Sequence, residues 1–114
     1  MNIDILRGEV WLLDLNPTLG REQAGTRPAL IISDDIFNRG PADLVIVVPI
    51  TSKDKNVRSH VRIPKGEAGL TMDSYAKCED IRSVSKQRFI RRFGSVEEGT
   101  IRSVEEILRF LMRL

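Results

Sequence analysis

Between Gly20 and Ala29 the chain reads GREQAGTRPA, a stretch denser in functional groups than a plain turn requires. Arg21, Glu22, Gln23 and Arg27 fall within seven residues, and Arg27 is followed directly by Pro28. Proline restricts the residue before it to extended conformations. The Arg27 guanidinium is therefore presented from a fixed backbone, just ahead of the apolar run ALII. Held in this way, a guanidinium can grip a phosphate through two parallel N–H donors. Thr51, which closes the apolar run LVIVVPI after Pro49, offers a hydroxyl. Two readings of Thr51 stay open. It caps the end of a buried strand, or it points into the same pocket as Arg27 if their strands are neighbours.

What the chain lacks restricts other chemistry. His60 is the only histidine, so a two-histidine acid/base pair cannot form within one chain. A surface or hydrogen-bonded strand histidine is the plain reading of it. The single Cys78 excludes an intrachain disulfide and a cysteine-based zinc site. Asp34-Asp35 and Glu79-Asp80 are adjacent pairs whose side chains diverge on a strand, so neither makes a metal motif. Neither a GxxxxGK[ST] phosphate loop nor a GxGxxG turn is present. No metal and no cofactor are expected, and phosphate chemistry here would have to be metal-free.

The 114 residues predict one domain spanning 1–114, and 41% apolar residues suffice for a single modest core. Met1 to Gly8 lacks the apolar segment of a signal peptide, and no apolar run approaches a membrane span. With one cysteine, these features predict a cytoplasmic protein. The net charge of +2 is unevenly spread. Residues 1–57 hold 6 basic against 8 acidic side chains, and residues 58–114 hold 12 against 8. Arg88, Arg91 and Arg92 cluster in that second half. Such a patch suits phosphates, and a solvated basic face accounts for it as well.

The elements that must position these groups read mainly as β. GEVWLLDL (8–15) is a first strand, ended by Asn16-Pro17. A loop of about a dozen residues runs to Thr26, long enough to suggest a functional or mobile segment. PALIIS (28–33) is a second strand, and DDIFNRGPAD (34–43) reads as one helical turn and a reversal. DLVIVVPIT (43–51) is the most apolar run and predicts a central strand buried on both faces. HVRI (60–63) alternates as an edge or half-buried strand, SYAKCEDI (74–81) extends another, and RFIRRFGSV (88–96) contains a last short one. Trp11, inside an apolar strand, reads as core rather than as a base-stacking platform. At the C-terminus Ile101, Val104, Ile107, Leu108 and Leu111 follow the spacing of an amphipathic helix. Ser95 with Glu98 suggests a capping box, Glu97 and Glu98 favour the helix start, and Arg109 and Arg113 suit its end. Five or more short strands and a terminal helix describe a small antiparallel barrel with a helix packed on it.

At this point the motifs carry a resemblance. RGEVWLLDLNPTLGREQAGTRPALIIS, VVPITS and CEDIRSVSKQR together resemble the MazF/PemK family of toxin endoribonucleases, from about Arg7 to the terminal helix. The combination of an RGEVW start, a G-x-E-Q-x-G-x-R-P loop and a P-I-T-S strand end is specific. The resemblance implies a small SH3-like antiparallel barrel of the PemK/CcdB type with a C-terminal amphipathic helix, used as a homodimer. It implies a sequence-specific, metal-independent endoribonuclease acting on single-stranded RNA or mRNA and leaving 2′,3′-cyclic phosphate and 5′-hydroxyl ends. The family's catalytic arginine and threonine correspond to Arg27 and Thr51, both able to stabilise charge growing on phosphate oxygens. A guanidinium with a pKa above about 12 is a poor base. Glu22 is the better candidate for taking the 2′-hydroxyl proton, with a solvated loop carboxylate as the alternative reading. Arg21, Gln23, Lys53, Ser74, Glu79 and Asp80 would line the RNA groove, the carboxylates suiting base amino groups. Arg82 would bind phosphate or brace the barrel. The implied partner is a MazE-like antitoxin whose disordered acidic C-terminal tail threads the groove.

Two rivals bring different functions. A CcdB-like toxin shares the fold, binds DNA gyrase and cuts nothing. It relies on an aromatic near its C-terminus, whereas this chain ends RFLMRL, and the loop carrying Arg27 would serve no purpose. A peptide-binding SH3-like module needs an aromatic-lined groove, and 5% aromatics with one Trp and one Tyr supply little for one.

Overall fold

The computed structural model describes residues 4–15 and 25–114. Among these, seven strands and two helices follow in the order β1 (Glu9–Asp14), β2 (Thr26–Ile31), α1 (Asp35–Asn38), β3 (Leu44–Thr51), β4 (His60–Ile63), β5 (Ser74–Lys77), β6 (Arg82–Ser85), β7 (Phe89–Ser95) and α2 (Glu98–Met112). Every strand pair is antiparallel. The sheet runs β4-β5-β3-β2-β1-β7, with β6 added to the other end of β3. Strong curvature makes it barrel-like, as the sequence predicts for the fold, although no ladder of hydrogen bonds joins β4 to β7.

Strand β3 is the hub, pairing with β2, β5 and β6. Its alternating side chains enter two different cores. Val48 and Ile50 pack with Val10, Leu30, Ile63 and the α2 residues Ile101, Val104 and Leu108. Val45 and Val47 pack with Ile5, Trp11, Leu13, Ile31 and Phe89. The strand buried on both faces is therefore observed, for the reason its β-branched run suggests. Trp11 is core, 8% exposed. Its ring meets Phe89 edge-on at 5.7 Å, and its indole N–H donates to Glu9 at 3.0 Å. The Glu9 carboxylate is itself buried, and it also accepts from the Leu6 amide and from Arg92.

Three expectations need correction. SYAKCEDI is not one strand: β5 ends at Lys77 and Cys78–Asp80 form a 3-10 turn. Glu79 and Asp80 thus lie on a turn, and they diverge there, Glu79 to Ser59 and His60 and Asp80 to Lys77. The turn separates β5 from β6, a strand too short and too polar to stand out in the sequence. Likewise Asp34 and Asp35 cap and open α1 instead of lying on a strand. The capping box fails as well. Glu97 is the N-cap of α2 and no local side chain caps it, while Ser95 accepts a hydrogen bond from Arg92.

The cap comes instead from thirty residues upstream. Glu67 accepts from the Glu97 amide at 3.0 Å and from the Thr100 hydroxyl at 2.6 Å. Its carboxylate also complements the positive end of the helix dipole. We expect Glu67→Ala to lower stability by about 1–2 kcal/mol, the usual cost of losing an N-cap, which chemical denaturation will measure. The 3-10 turn that holds Glu67, Glu67–Gly69, also lies against β7 and spans the gap between the sheet's edges. Glycine makes that contact possible. A Cβ on Gly69 would sit 2.5 Å from the Phe93 carbonyl oxygen, and one on Gly94 would sit 2.8 Å from the Ala68 carbonyl carbon.

Candidate functional site

Register brings the first two candidate residues together. In the β2–β3 ladder Ala29 pairs with Pro49, Leu30 with Val48 and Ile31 with Val47. Continuing that register by two residues sets Arg27 opposite Thr51, on one face at the ends of adjacent strands. Both line a groove of about 640 Å³. Pro28, Ile50, Gly69, Leu70, Thr71 and Met72 line it as well. The bond between Arg27 Nη1 and the Thr26 carbonyl is long, 3.4 Å, and is the guanidinium's only hydrogen bond among the described residues. Thr51 Oγ1 accepts from the Lys53 amide at 3.2 Å. The hydroxyl therefore serves as a strand-end cap and keeps its own proton to donate.

Among the described residues, five cationic side chains line the groove: Arg27, Lys53, Lys55, Lys77 and Arg91. None of the described residues lining it carries a carboxylate, an imidazole or a thiol. Facing low-dielectric walls, such a set focuses positive potential into the groove. Lys77 is mostly buried and pairs with Asp80 at 2.9 Å. Arg91 lies over the ring of Phe93, 4.6 Å from its centroid. The basic cluster seen in the sequence is thus divided. Arg92 turns to Glu9 and Ser95, Arg88 donates to the Asp14 carbonyl, and only Arg91 reaches the groove.

The other expected residues are distributed unevenly. Lys53 and Ser74 line the groove, Ser74 buried with its hydroxyl donating to the Met72 carbonyl. Asp80 stands behind the groove, in contact through Lys77. Glu79 accepts from Ser59 at 2.5 Å and pairs with His60 Nε2 at 2.8 Å, outside the groove lining. Partial burial pushes the Glu79 carboxyl up, but hydrogen bonds from Ser59, its own amide and His60 outweigh it and hold the group below its ordinary value. Arg82 begins β6 and pairs with Val47, well along β3 from Thr51. Arg21, Glu22 and Gln23 lie outside the described residues. Lys55 and Lys77 are groove residues that the sequence does not single out, and it marks Arg91 only as one of a basic cluster. Lys55 repeats Lys53 at an interval of two, a usable signal, whereas no spacing marks Lys77. Among the described residues, no group of three or more His, Cys, Asp or Glu converges as metal ligands would. Cys78 is buried, and desolvation helped by the nearby Glu79 charge pushes its thiol up to about 12.

The model of the PemK-like, MazF-like toxins of type II toxin–antitoxin systems matches residues 6–112, nearly the whole chain and both strands that carry Arg27 and Thr51. The chain belongs to this family. Within it, the chain is 32% identical over 111 residues to endoribonuclease EndoA of Bacillus subtilis, covering 96% of each protein. It is 34% identical over 113 residues to endoribonuclease MazF9 of Mycobacterium tuberculosis, covering 95% of this chain and 96% of that one. The fold agrees with solved MazF structures. MazF from Deinococcus radiodurans superposes with a TM-score of 0.88 at 24% identity, over 99% of this chain and all of that one. An endoribonuclease from a Mycobacterial species, solved in complex with its cognate antitoxin, superposes with a TM-score of 0.77 at 23% identity, over the whole of this chain and 97% of that one. As a PemK/MazF-like toxin, the chain contains no helix, among its described residues, long and apolar enough to cross a membrane.

Proposed function

We propose that this PemK/MazF-like toxin cuts single-stranded RNA at a short recognised sequence without a metal ion. It is an endoribonuclease of a toxin–antitoxin system, since its family is that of the toxins and both sequence relatives named above are endoribonucleases. Those relatives favour cleavage over the gyrase-binding alternative. The observation that supports the cleavage chemistry is that Arg27 and Thr51, at the ends of the paired strands β2 and β3, line one cationic groove.

The chemistry follows from those two groups. The 2′-oxygen attacks the adjacent phosphorus as its proton leaves, the P–O5′ bond breaks, and the 5′-oxygen takes up a proton. A 2′,3′-cyclic phosphate and a 5′-hydroxyl remain. Negative charge on the non-bridging oxygens grows in the transition state, where the Arg27 fork and the Thr51 hydroxyl stabilise it. Glu22 takes the 2′-proton in this reading. Lys53, Lys55 and Lys77 hold flanking phosphates. Single strands fit a groove of this kind because their unpaired bases can splay against its walls. The same positive groove suits the acidic tail of a cognate antitoxin, and solved antitoxin complexes of structural neighbours support that partner. A homodimer would place two such grooves in one particle.

The deciding experiment is digestion of a long mixed-sequence RNA in excess EDTA with the fragment ends mapped chemically. We expect recurrent cutting at one short sequence with cyclic phosphate ends, at a rate EDTA does not change. Loss of cutting in EDTA that magnesium restores would contradict the metal-free route. Thr51→Val keeps the side chain's shape and removes its hydroxyl. We expect turnover to fall by about 10²-fold, the scale of one lost charge-stabilising donor, with little change in KM. Unchanged turnover would leave Thr51 as a strand cap alone.

A further inference from the structure

Of the groove cations, Arg91 is held differently from the rest. Its guanidinium lies over the Phe93 ring, 4.6 Å from the centroid. Phe93 itself is pinned. Its ring packs against the larger core, and Gly69 brings the 66–70 turn into contact with its backbone. The result is a planar cation seated over a fixed aromatic ring. Lysine cannot imitate this, because an ammonium is a compact point charge without a plane.

Arg91 and Arg27 line the same groove, and register gives the backbone separation between their strands. Arg91 pairs with Leu12, and Leu12 pairs with Pro28, which lines the groove next to Arg27. Two strand spacings separate Arg91 from Pro28, roughly 9–10 Å. That is within reach of a base on a nucleotide flanking a phosphate gripped at Arg27 and Thr51. Unpaired bases stack on arginine planes as well as on aromatic rings. We propose that Arg91, seated over Phe93, is a stacking platform for an unpaired RNA base beside the scissile phosphate, and so a substrate-positioning residue. The assignment rests on the RNA-cutting reading of this groove and adds a contact to a base, where the other groove cations contact phosphates.

The test separates base from phosphate. Binding is measured for wild type, Arg91→Lys and Arg91→Ala with two fluorescent probes of equal charge. One is a mixed-sequence 2′-O-methyl RNA nonamer, which cannot form a cyclic phosphate. The other is a nonamer of abasic tetrahydrofuran phosphates. Wild type should prefer the probe with bases. Arg91→Lys should weaken that probe by about tenfold, the scale of one lost stacking contact, and the abasic probe by less than twofold. Equal behaviour of Arg91→Lys and wild type, or a matched loss on both probes, would overturn the platform and leave a phosphate contact or none. A wild type indifferent to the presence of bases would overturn it too. Binding is read apart from cutting, so a wild type that discriminates between the probes but cleaves nothing would sink the nuclease reading and keep the platform.

Discussion

Arg27→Ala should abolish RNA cleavage while leaving the fold intact. The side chain is exposed, its only internal hydrogen bond among the described residues is the long one to Thr26, and it belongs to neither core. Deleting an exposed side chain strands no buried partner, so stability should change by less than about 0.5 kcal/mol. The catalytic cost is of another size. Losing one donor aimed at a developing oxyanion costs about 10²–10³ in rate, and a two-pronged cation should cost at least as much. Arg27→Lys restores charge without the fork and should recover little. Single-turnover cleavage of one defined RNA, with thermal melting as the fold control, makes the comparison. Substantial activity in the alanine variant would remove Arg27 from the chemistry.

Gly69→Ala should be the most damaging single methyl group among the described positions. Gly69 has φ +72°, a conformation that costs a residue with a Cβ, and the added carbon would lie 2.5 Å from the Phe93 carbonyl oxygen. The offending atom is backbone on β7, so no rotamer change relieves it. Positive-φ strain and overpacking together suggest a loss of about 2–4 kcal/mol, or on the order of 10 °C in Tm for a domain of this size. The same glycine lines the groove, so RNA binding should weaken in whatever fraction stays folded. Gly66→Ala is the control: φ is +95° but nothing lies within 4 Å of the added carbon. It should show the backbone strain alone. Equal melting of the two variants would mean that contact across the seam contributes nothing.

Local pattern made most of the fold legible. The β-branched run 43–51 could only be a doubly buried strand, and the 3.6-residue spacing from Ile101 to Leu108 could only be a helix with one apolar face. HVRI at 60–63 coincides with β4. What escaped depends on distant partners. Strand β6 is four residues, Arg82–Ser85, with one fully buried side chain, Val84, and exists because β3 has a free edge to pair with. The cap of α2 comes from Glu67, so no local capping motif could reveal it. The site followed the same rule. Pro28 marked Arg27 and the end of an apolar run marked Thr51, but their opposition needed the β2–β3 register. The triplet Arg88, Arg91 and Arg92 looked like one patch, yet pleating and the irregular β1–β7 pairing send its members to different neighbours.

Strand β3 has one more implication, for how this toxin can change. Its side chains belong alternately to two cores, it pairs with three strands, and its last residue is Thr51. A substitution inside either core acts on the strand that ends in Thr51, so under the proposed role of that hydroxyl stability and turnover should change together there. Arg91 and Lys55 stand apart, exposed and outside both cores. On the groove roles proposed above, drift in base preference should come cheaply at Arg91 and at high cost along β3. On that reading, variants selected for a new target sequence should accumulate around Arg27 and Thr51 while those two stay fixed.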